Sequence, residues 1–179
     1  YSMVLPRKLD SFFGFTPSEI ETITEGSEVS VEDLKDWYDG YEIGKEKSVY
    51  NPYSVMEAVS RGYCGNYWES TSAYDSVSSY ISMNFEGLKD DIILMLGGGR
   101  CDVDTTGFEN DPTRIKTKDD ALTILIHLGY LAYDREQKQC YVPNKEAREE
   151  MEKAVKACNW QHLNADLNAS QRLVADTLD

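Results

Sequence analysis

Helix start and stop signals are the feature that most restricts how this chain can fold. Thr16-Pro17-Ser18-Glu19 is a capping box with proline at the first helical position, and Gly26 ends the helix that it opens. Ser30 to Asp33 opens a second helix in a similar way, and Asn51-Pro52 opens a third that ends at Gly62. Each apolar stretch is therefore short and closed at both ends, which predicts a bundle of short helices.

Two more short helices are predicted before the triple glycine at residues 97–99. In residues 72–84 the apolar positions recur at helical spacing, although five serines there lower the helix propensity. Residues 87–96 form a further apolar helix that the glycines end. We therefore expect residues 1–99 to form a helical, lid-like bundle.

The pattern changes after the triple glycine. Residues 100–104 alternate like a short strand, and Thr117 caps an apolar helix that runs to residue 128. Two β-like runs, YLAYD and QCYVP, follow and are joined by a polar turn, which is a hairpin signature. A charged amphipathic helix is predicted over residues 144–157. Strand, helix, hairpin and helix in this order are typical of a winged-helix-like unit.

The predicted fold class is therefore mainly α, with a helical bundle followed by a winged-helix-like unit that holds a small β-hairpin sheet. Three parts are expected along the chain. Residues 1–99 form the bundle and residues 100–158 form the winged-helix-like unit. Residues 159–179, with apolar positions at helical spacing, are predicted to form a C-terminal helical arm.

The composition excludes several classes of protein. Of the 179 residues 41% are hydrophobic and they are spread along the whole length, which excludes a disordered acidic tail despite a net charge of -14. No apolar run approaches the roughly 18 residues of a membrane span, and the N-terminus lacks the apolar core of a signal peptide. The sequence thus predicts a soluble, cytoplasmic protein with no membrane partner.

Several segments resemble parts of catalytic sites, but each fits a structural role better. Gly97-Gly98-Gly99-Arg100 lacks the Lys and Ser or Thr of a phosphate-binding loop, so it is interpreted as a helix end. Glu136-Gln137-Lys138 matches the letters of a metal-dependent nuclease strand, yet it falls at the predicted hairpin tip. His127 lies on an apolar helix, where a packed histidine is more common than a general base.

The cysteines indicate neither a metal site nor a redox pair. Cys64, Cys101, Cys140 and Cys158 lie far apart in the sequence and form no CxxC motif. We interpret them as reduced, structural residues. The sequence therefore predicts no catalytic, cofactor-binding or metal-binding residue in this chain.

A winged helix raises the alternative of a nucleic-acid-binding module. The helix over residues 118–128 is apolar and begins with two aspartates, whereas a groove-reading helix presents Arg, Lys, Asn or Gln to base edges. Arg135, Lys138 and Lys145 are placed to contact a phosphate backbone from the wing. Binding to nucleic acid is accordingly not the leading prediction, and an enzyme in its own right is a third, weaker one.

Five separated motifs together resemble a known family. WYDGY with a later VYNP, a YW followed by a small polar run, GYL, and a VPN-E-R segment occur in this order. The pattern is similar to that of the predicted AAA-ATPase-like family of bacteria, whose members often carry a PD-(D/E)XK-type nuclease domain at the C-terminal end. The residues that carry the resemblance are Trp37, Tyr38, Asp39, Gly40, Tyr41, Tyr50, Asn51, Pro52, Tyr67, Trp68, Gly129, Tyr130, Leu131, Pro143, Asn144 and Arg148.

The resemblance implies that this chain is a non-catalytic regulatory or interaction module. Proteins of this family carry the nucleotide-binding loop upstream of WYDGY, so the chain resembles the portion downstream of the nucleotide-binding core. ATP and Mg²⁺ are implied only for a longer parent protein, and no cofactor is expected in this chain. The implied partners are the upstream ATPase core and the downstream nuclease-like domain of that parent.

The aromatic stretch 37-WYDGYEIGKEKSVYNP-52 is interpreted as a joint between two helices. Trp37 and Tyr38 are expected to bury their rings, and Gly40 lets the chain turn. Asp39 is expected to accept hydrogen bonds from the turn as an Asx-type residue. Residues 41–50 are expected to form a loop that faces the ATPase core, so that Tyr41→Ala or Lys45→Ala spares folding and weakens docking.

Overall fold

The computed structural model describes residues 12–68, 73–83, 85–106, 108 and 115–158. Over these residues the protein is mainly α, with two small antiparallel sheets. The elements in chain order are α1 Pro17–Thr24, α2 Val31–Tyr38, β1 Tyr41–Ile43, β2 Glu46–Val49, α3 Pro52–Arg61, α4 Ala73–Ile81, α5 Leu88–Leu96, β3 Cys101–Asp102, α6 Lys118–His127, β4 Ala132–Asp134, β5 Gln139–Tyr141 and α7 Lys145–Ala157. The predicted C-terminal arm, residues 159–179, lies outside the described residues.

The predicted helix starts are confirmed by their hydrogen bonds. The backbone amide of Thr16 donates to the Glu19 carboxylate at 2.8 Å, which is the reciprocal bond of a capping box. Ser30 Oγ accepts from the amide of Asp33 at 3.0 Å, and Asn51 Oδ1 accepts from the amide of Tyr53 at 3.1 Å. These local bonds fix where α1, α2 and α3 begin.

The first sheet corrects the expectation of a loop at residues 41–50. Strands β1 and β2 form an antiparallel hairpin, in which Tyr41 pairs with Val49 and Ile43 with Glu46. Gly44 adopts a positive φ of 66° between the strands, a conformation that favours glycine. The hairpin forms because the apolar side chains of its two strands share one buried face and leave the charged ones outside.

The second sheet contains the hairpin that the sequence predicts. Strands β4 and β5 pair antiparallel, and the short strand β3 joins at the other side of β5, giving the order β3-β5-β4. Helix α6 precedes this hairpin and α7 follows it. The predicted short strand, apolar helix, hairpin and amphipathic helix are therefore all present.

The apolar side chains form two main cores. A smaller core lies beneath α1, α2 and α3 and includes Ile20, Leu34 and the fully buried Tyr38. The larger core is built from α4 to α7 and the second sheet, so it takes residues from both sides of the triple glycine. The division into domains at residue 99 stays a prediction.

Within the described ranges, no helix combines the length and the apolar character needed to cross a membrane. The described side chains also include no cluster of three or more His, Cys, Asp or Glu that could hold a metal ion.

Candidate functional site

Four of the five sequence motifs meet in space, and the fifth, GYL, contacts them through the bond between Tyr41 and Gly129. The end of α2, the start of α3, the segment after α3 and the start of α7 meet in a buried contact region that we call the motif junction. It comprises Tyr38, Asp39, Gly40, Tyr41, Asn51, Ser54, Tyr67, Pro143, Asn144 and Glu146. Residues that the sequence separates by more than 90 positions are therefore neighbours here, as in the bond between Ser54 and Glu146.

Asn144 joins the two ends of this junction. Its side-chain oxygen accepts from the amide of Ala147 at 2.9 Å and so caps α7. Its side-chain nitrogen donates to the backbone oxygen of Asp39 at 2.8 Å. One buried amide thus begins α7 and holds the end of α2 against it.

Gly40 is required at the same contact. Its φ of 100° lies in the left-handed region, and a Cβ at this position would collide with the backbone oxygen of Pro143. The sequence predicts only that this glycine lets the chain turn, but the structure gives it a second role. It allows the WYDGY and VPN segments to approach backbone to backbone.

Asp39 has a different partner from the one expected. Its buried carboxylate accepts from Ser48 Oγ on β2, at 2.8 and 2.9 Å to its two oxygens. The expected Asx-type acceptor role in the turn is thus replaced by a bond across the hairpin. Asp39 ties β2 to the end of α2, because the hairpin brings Ser48 back over the turn.

Glu146 is the acidic residue of the VPN-E-R segment, but sequence reasoning assigned it no role of its own. It is fully buried in the first turn of α7, where its carboxylate accepts from Ser54 Oγ at 2.7 and 2.9 Å and from the amide of Tyr67 at 2.9 Å. Burial raises the pKa of this carboxyl to about 7, against the lowering effect of these hydrogen bonds. The signals in the sequence were its place in the VPN-E-R segment and its position two residues after the cap Asn144.

The segment after α3 is held by the same face of α7. Glu150, one turn beyond Glu146, is also buried and accepts from Asn66 Nδ2 at 2.6 Å and from Lys153 at 3.2 Å. Tyr38 both donates to the oxygen of Gly65 and accepts from its amide, at 2.8 and 2.9 Å. The segment that carries the YW motif is therefore fixed from two sides.

Two further motif residues, one packed against the start of α7 and one within it, join this helix to its neighbours. Trp37 is half-buried, and the Lys145 ammonium lies 4.2 Å from the centre of its ring. Arg148 donates to the backbone oxygen of Leu96, the last residue of α5. Because α-helix ends leave their carbonyl groups without helical partners, this contact satisfies one of them and joins α5 to α7.

An apolar cleft of about 180 Å³ opens beside the junction. We call it the cleft. Its lining residues are Phe13, Tyr41, Ile43, Val49, Tyr50, Asn51, Pro52, Trp68, Leu128 and Gly129. Four of the five motifs contribute to it, so the structure brings part of the motif residues together at a surface.

Tyr41 belongs to both the motif junction and the lining of the cleft. Its ring is buried and its hydroxyl donates to the backbone oxygen of Gly129 at 2.7 Å. Burial raises the pKa of this hydroxyl, which keeps it a donor. Tyr41 thus lies in a hairpin strand and makes a long-range packing contact, so Tyr41→Ala is now expected to lower the stability of the fold.

The GYL motif supports the opposite wall. Gly129 follows α6 with a φ of 85°, and Tyr130 packs edge-on against Trp68 with ring centres 4.9 Å apart. Leu131 is buried in the larger core. The motif thus ends α6 and positions two aromatic rings near the cleft.

The other residues considered from sequence lie apart from this region. Glu136 and Lys138 are exposed at the turn between β4 and β5, as expected for a hairpin tip. His127 is half-buried at the end of α6, with its ring 5.6 Å from that of Phe108, and burial lowers its pKa. None of these three residues belongs to the motif junction or lines the cleft.

No protein-family model matches this chain, and no match is found among curated proteins or solved structures. The chemical character of the site is therefore inferred from its own contacts. The junction consists of polar groups that bond to one another, and the cleft offers an apolar surface next to them. Such an arrangement can hold a partner by burying apolar area.

Proposed function

We propose that this chain is a non-catalytic interaction module of an AAA-ATPase-like protein. In this proposal a helical, lid-like bundle and a winged-helix-like unit dock onto an upstream ATPase core and link it to a downstream nuclease-like domain. The observation that carries the proposal is the contrast within the family motifs. Their polar members bond to the chain itself, while their apolar members line an open cleft.

The hydrogen bonding of the junction supports a role without catalysis. Asp39, Asn144 and Glu146 are the buried groups best suited to acid–base or binding chemistry there, and each is engaged by a partner in the chain. A catalytic acid or base needs an unblocked path to a substrate proton. These groups instead resemble a structural network, in which satisfied polar groups define how elements pack.

The cleft supports docking of an upstream core. Leu128 at its rim is 46% exposed, and Phe12, next to the lining residue Phe13, is 78% exposed. A domain joined to Tyr1 would be tethered to the cleft by residues 1–11, whose fully extended reach is about 40 Å. Such a short tether gives the docking partner a high effective concentration.

The burial of α6 favours a protein partner over nucleic acid. Residues Ala121 to Ile126 of this helix are all buried, as the sequence predicts. A recognition helix must present side chains to base edges, which a buried helix does not do. DNA binding by the winged-helix-like unit therefore remains the less supported alternative.

The proposal is tested by titrating the upstream part of the native gene product, expressed separately, against this chain in a calorimeter. Wild-type chain is expected to bind. Leu128→Ser should weaken binding roughly tenfold, because burying a leucine side chain stabilises a complex by about 1.5–3 kcal/mol. Leu94→Ser is the matched control, since Leu94 is 50% exposed on α5 outside the cleft.

Three results would contradict the proposal. The first is a native gene without a phosphate-binding loop upstream of Tyr1. The second is a failure of the wild-type chain to bind that upstream part, or an equal loss with Leu94→Ser. The third is retention of labelled duplex DNA by the chain at low salt with a steep salt dependence, which would favour the nucleic-acid alternative. Flat ATPase and nuclease assays with Mg²⁺ are expected.

A further inference from the structure

The fold brings together two cysteines that lie far apart in the sequence. Cys101 on β3 and Cys140 on β5 are 39 positions apart, yet they are directly paired across the second sheet. Their sulfur atoms lie 3.4 Å apart, and both side chains are buried. The sequence spacing gave no sign of this proximity, which depends on the strand register.

The backbone geometry of this pair suits a disulfide. Directly opposed residues of antiparallel strands have Cα atoms about 4.5–5.5 Å apart. Disulfides join residues whose Cα atoms are about 4.4–6.8 Å apart, with a sulfur–sulfur bond of about 2.0 Å. The Cα separation of such a pair lies within the disulfide range, and the two sulfur atoms, now 3.4 Å apart, need to approach by only about 1.4 Å to bond.

We propose that Cys101 and Cys140 form a reversible thiol–disulfide site whose oxidant is a peroxide. The Cys101 thiol releases its proton and the thiolate attacks a peroxide oxygen; the O–O bond breaks, Cys101 becomes a sulfenic acid, and the leaving hydroxide takes up the released proton as water. The Cys140 thiolate then attacks the Cys101 sulfur, the S–S bond forms, and hydroxide leaves and takes up a proton as a second water. Two thiols lose two electrons and hydrogen peroxide becomes two waters.

The order of attack follows from the position of each strand. β3 is only two residues long and lies at the edge of the sheet, so few backbone hydrogen bonds hold it. Cys140 lies on the central strand, and its hydrogen bond to Cys101 and its burial raise the pKa of its thiol. Opening of β3 exposes Cys101 first, and the pair stays reduced while β3 is closed.

A metal site on the same sulfurs is less consistent with the surroundings. Met95 Sδ lies 3.5 Å from the Cys101 sulfur and 3.7 Å from that of Cys140, and three soft ligands suit monovalent copper. Copper would require two buried thiolates, which the apolar core and the negative charge of Asp91 disfavour. A disulfide is uncharged, so the core favours it.

To test this proposal, the full chain is treated with hydrogen peroxide and digested without reduction, and the masses of its peptides are measured. A linked pair containing Cys101 and Cys140, lighter by two hydrogen atoms than the separate peptides, is expected. The midpoint of thermal unfolding should rise by roughly 5–10 °C and return with dithiothreitol, because the bond closes a long loop. Cys101→Ser and Cys140→Ser should each abolish both effects.

The double variant Cys64→Ser with Cys158→Ser is the matched control, because it removes the two more accessible thiols and keeps the pair. It should form the link as the wild-type chain does. Oxidation confined to Cys64 or Cys158, or links only between chains, would overturn the proposal. So would tight binding of one monovalent copper ion per chain that prevents the link and requires Met95.

Discussion

The motif junction and the cleft lie side by side and share Tyr41 and Asn51, yet they differ in their content of buried polar groups. In the junction, buried polar groups bond to one another across elements, as Glu146 does with Ser54. In the cleft, apolar side chains reach solvent with few polar groups among them. The difference indicates that one set of motif residues fixes the geometry and the neighbouring set presents a surface.

The largest effect is expected from Glu146→Ala. This change leaves a cavity and removes the acceptor of Ser54 Oγ and of the Tyr67 amide, so we expect a loss of about 4 kcal/mol in the free energy of unfolding. Urea denaturation measures it. Glu21→Ala, at an exposed position of α1, should change stability by less than about 0.5 kcal/mol. Equal effects of the two changes would remove the distinction between junction and surface.

Gly40→Ala should rank next. The new Cβ meets the Pro143 backbone oxygen and the positive φ is strained, so we expect a loss of about 3 kcal/mol by denaturant unfolding. Gly26→Ala provides the control, because Gly26 has a φ of 78° with open space around it. It should cost about 1 kcal/mol, and the difference isolates the close approach of the two motifs.

A dependence on pH should distinguish the junction from the rest of the chain. The folded state raises the pKa of Glu146 from the ordinary 4.5 to about 7, which favours the protonated form. The stabilisation from this group is therefore complete below about pH 4.5 and is lost as the pH rises through 7. Relative to Glu146→Gln, the wild-type protein should gain about 2 kcal/mol between pH 8 and pH 5.

The comparison is made by unfolding both proteins at several pH values. Because the other carboxyl groups are common to both, their titration cancels in the difference. A difference that does not vary with pH would show that Glu146 titrates normally. It would also show that burial does not dominate the electrostatics of the junction.

The smallest effect is expected from Tyr41→Phe, at the boundary of the two regions. The change removes only the hydrogen bond to the Gly129 oxygen and should lower the unfolding free energy by about 1 kcal/mol. Tyr53→Phe, on the exposed side of α3, should have no measurable effect on stability. A null result for Tyr41→Phe would place Tyr41 with the cleft rather than with the junction.

Helix starts were predictable because the interactions that set them are short-range. The bonds of Ser30 with Asp33 and of Thr117 with Asp120 span three residues, so the sequence contains the whole motif. The first hairpin was missed because strands of three and four residues give too short an alternation to recognise. Its aromatic residues were assigned to a loop for the same reason.

The sequence named many residues of the junction but not their interactions. The burial of Glu146 was not predictable, because its partners Ser54 and Tyr67 are 92 and 79 positions away. Asp39 was assigned to a local turn, whereas its partner Ser48 depends on the hairpin. The pairing of Cys101 with Cys140 likewise depends on strand register.

By itself, the sequence determined the mainly helical class, the helix starts and the apolar character of α6, since caps and periodicity act over a few residues. The tertiary structure was needed to show which polar groups are buried, which glycine must lack a side chain, and which cysteines are neighbours. Those properties depend on groups supplied by distant elements, and burial gives them their strength.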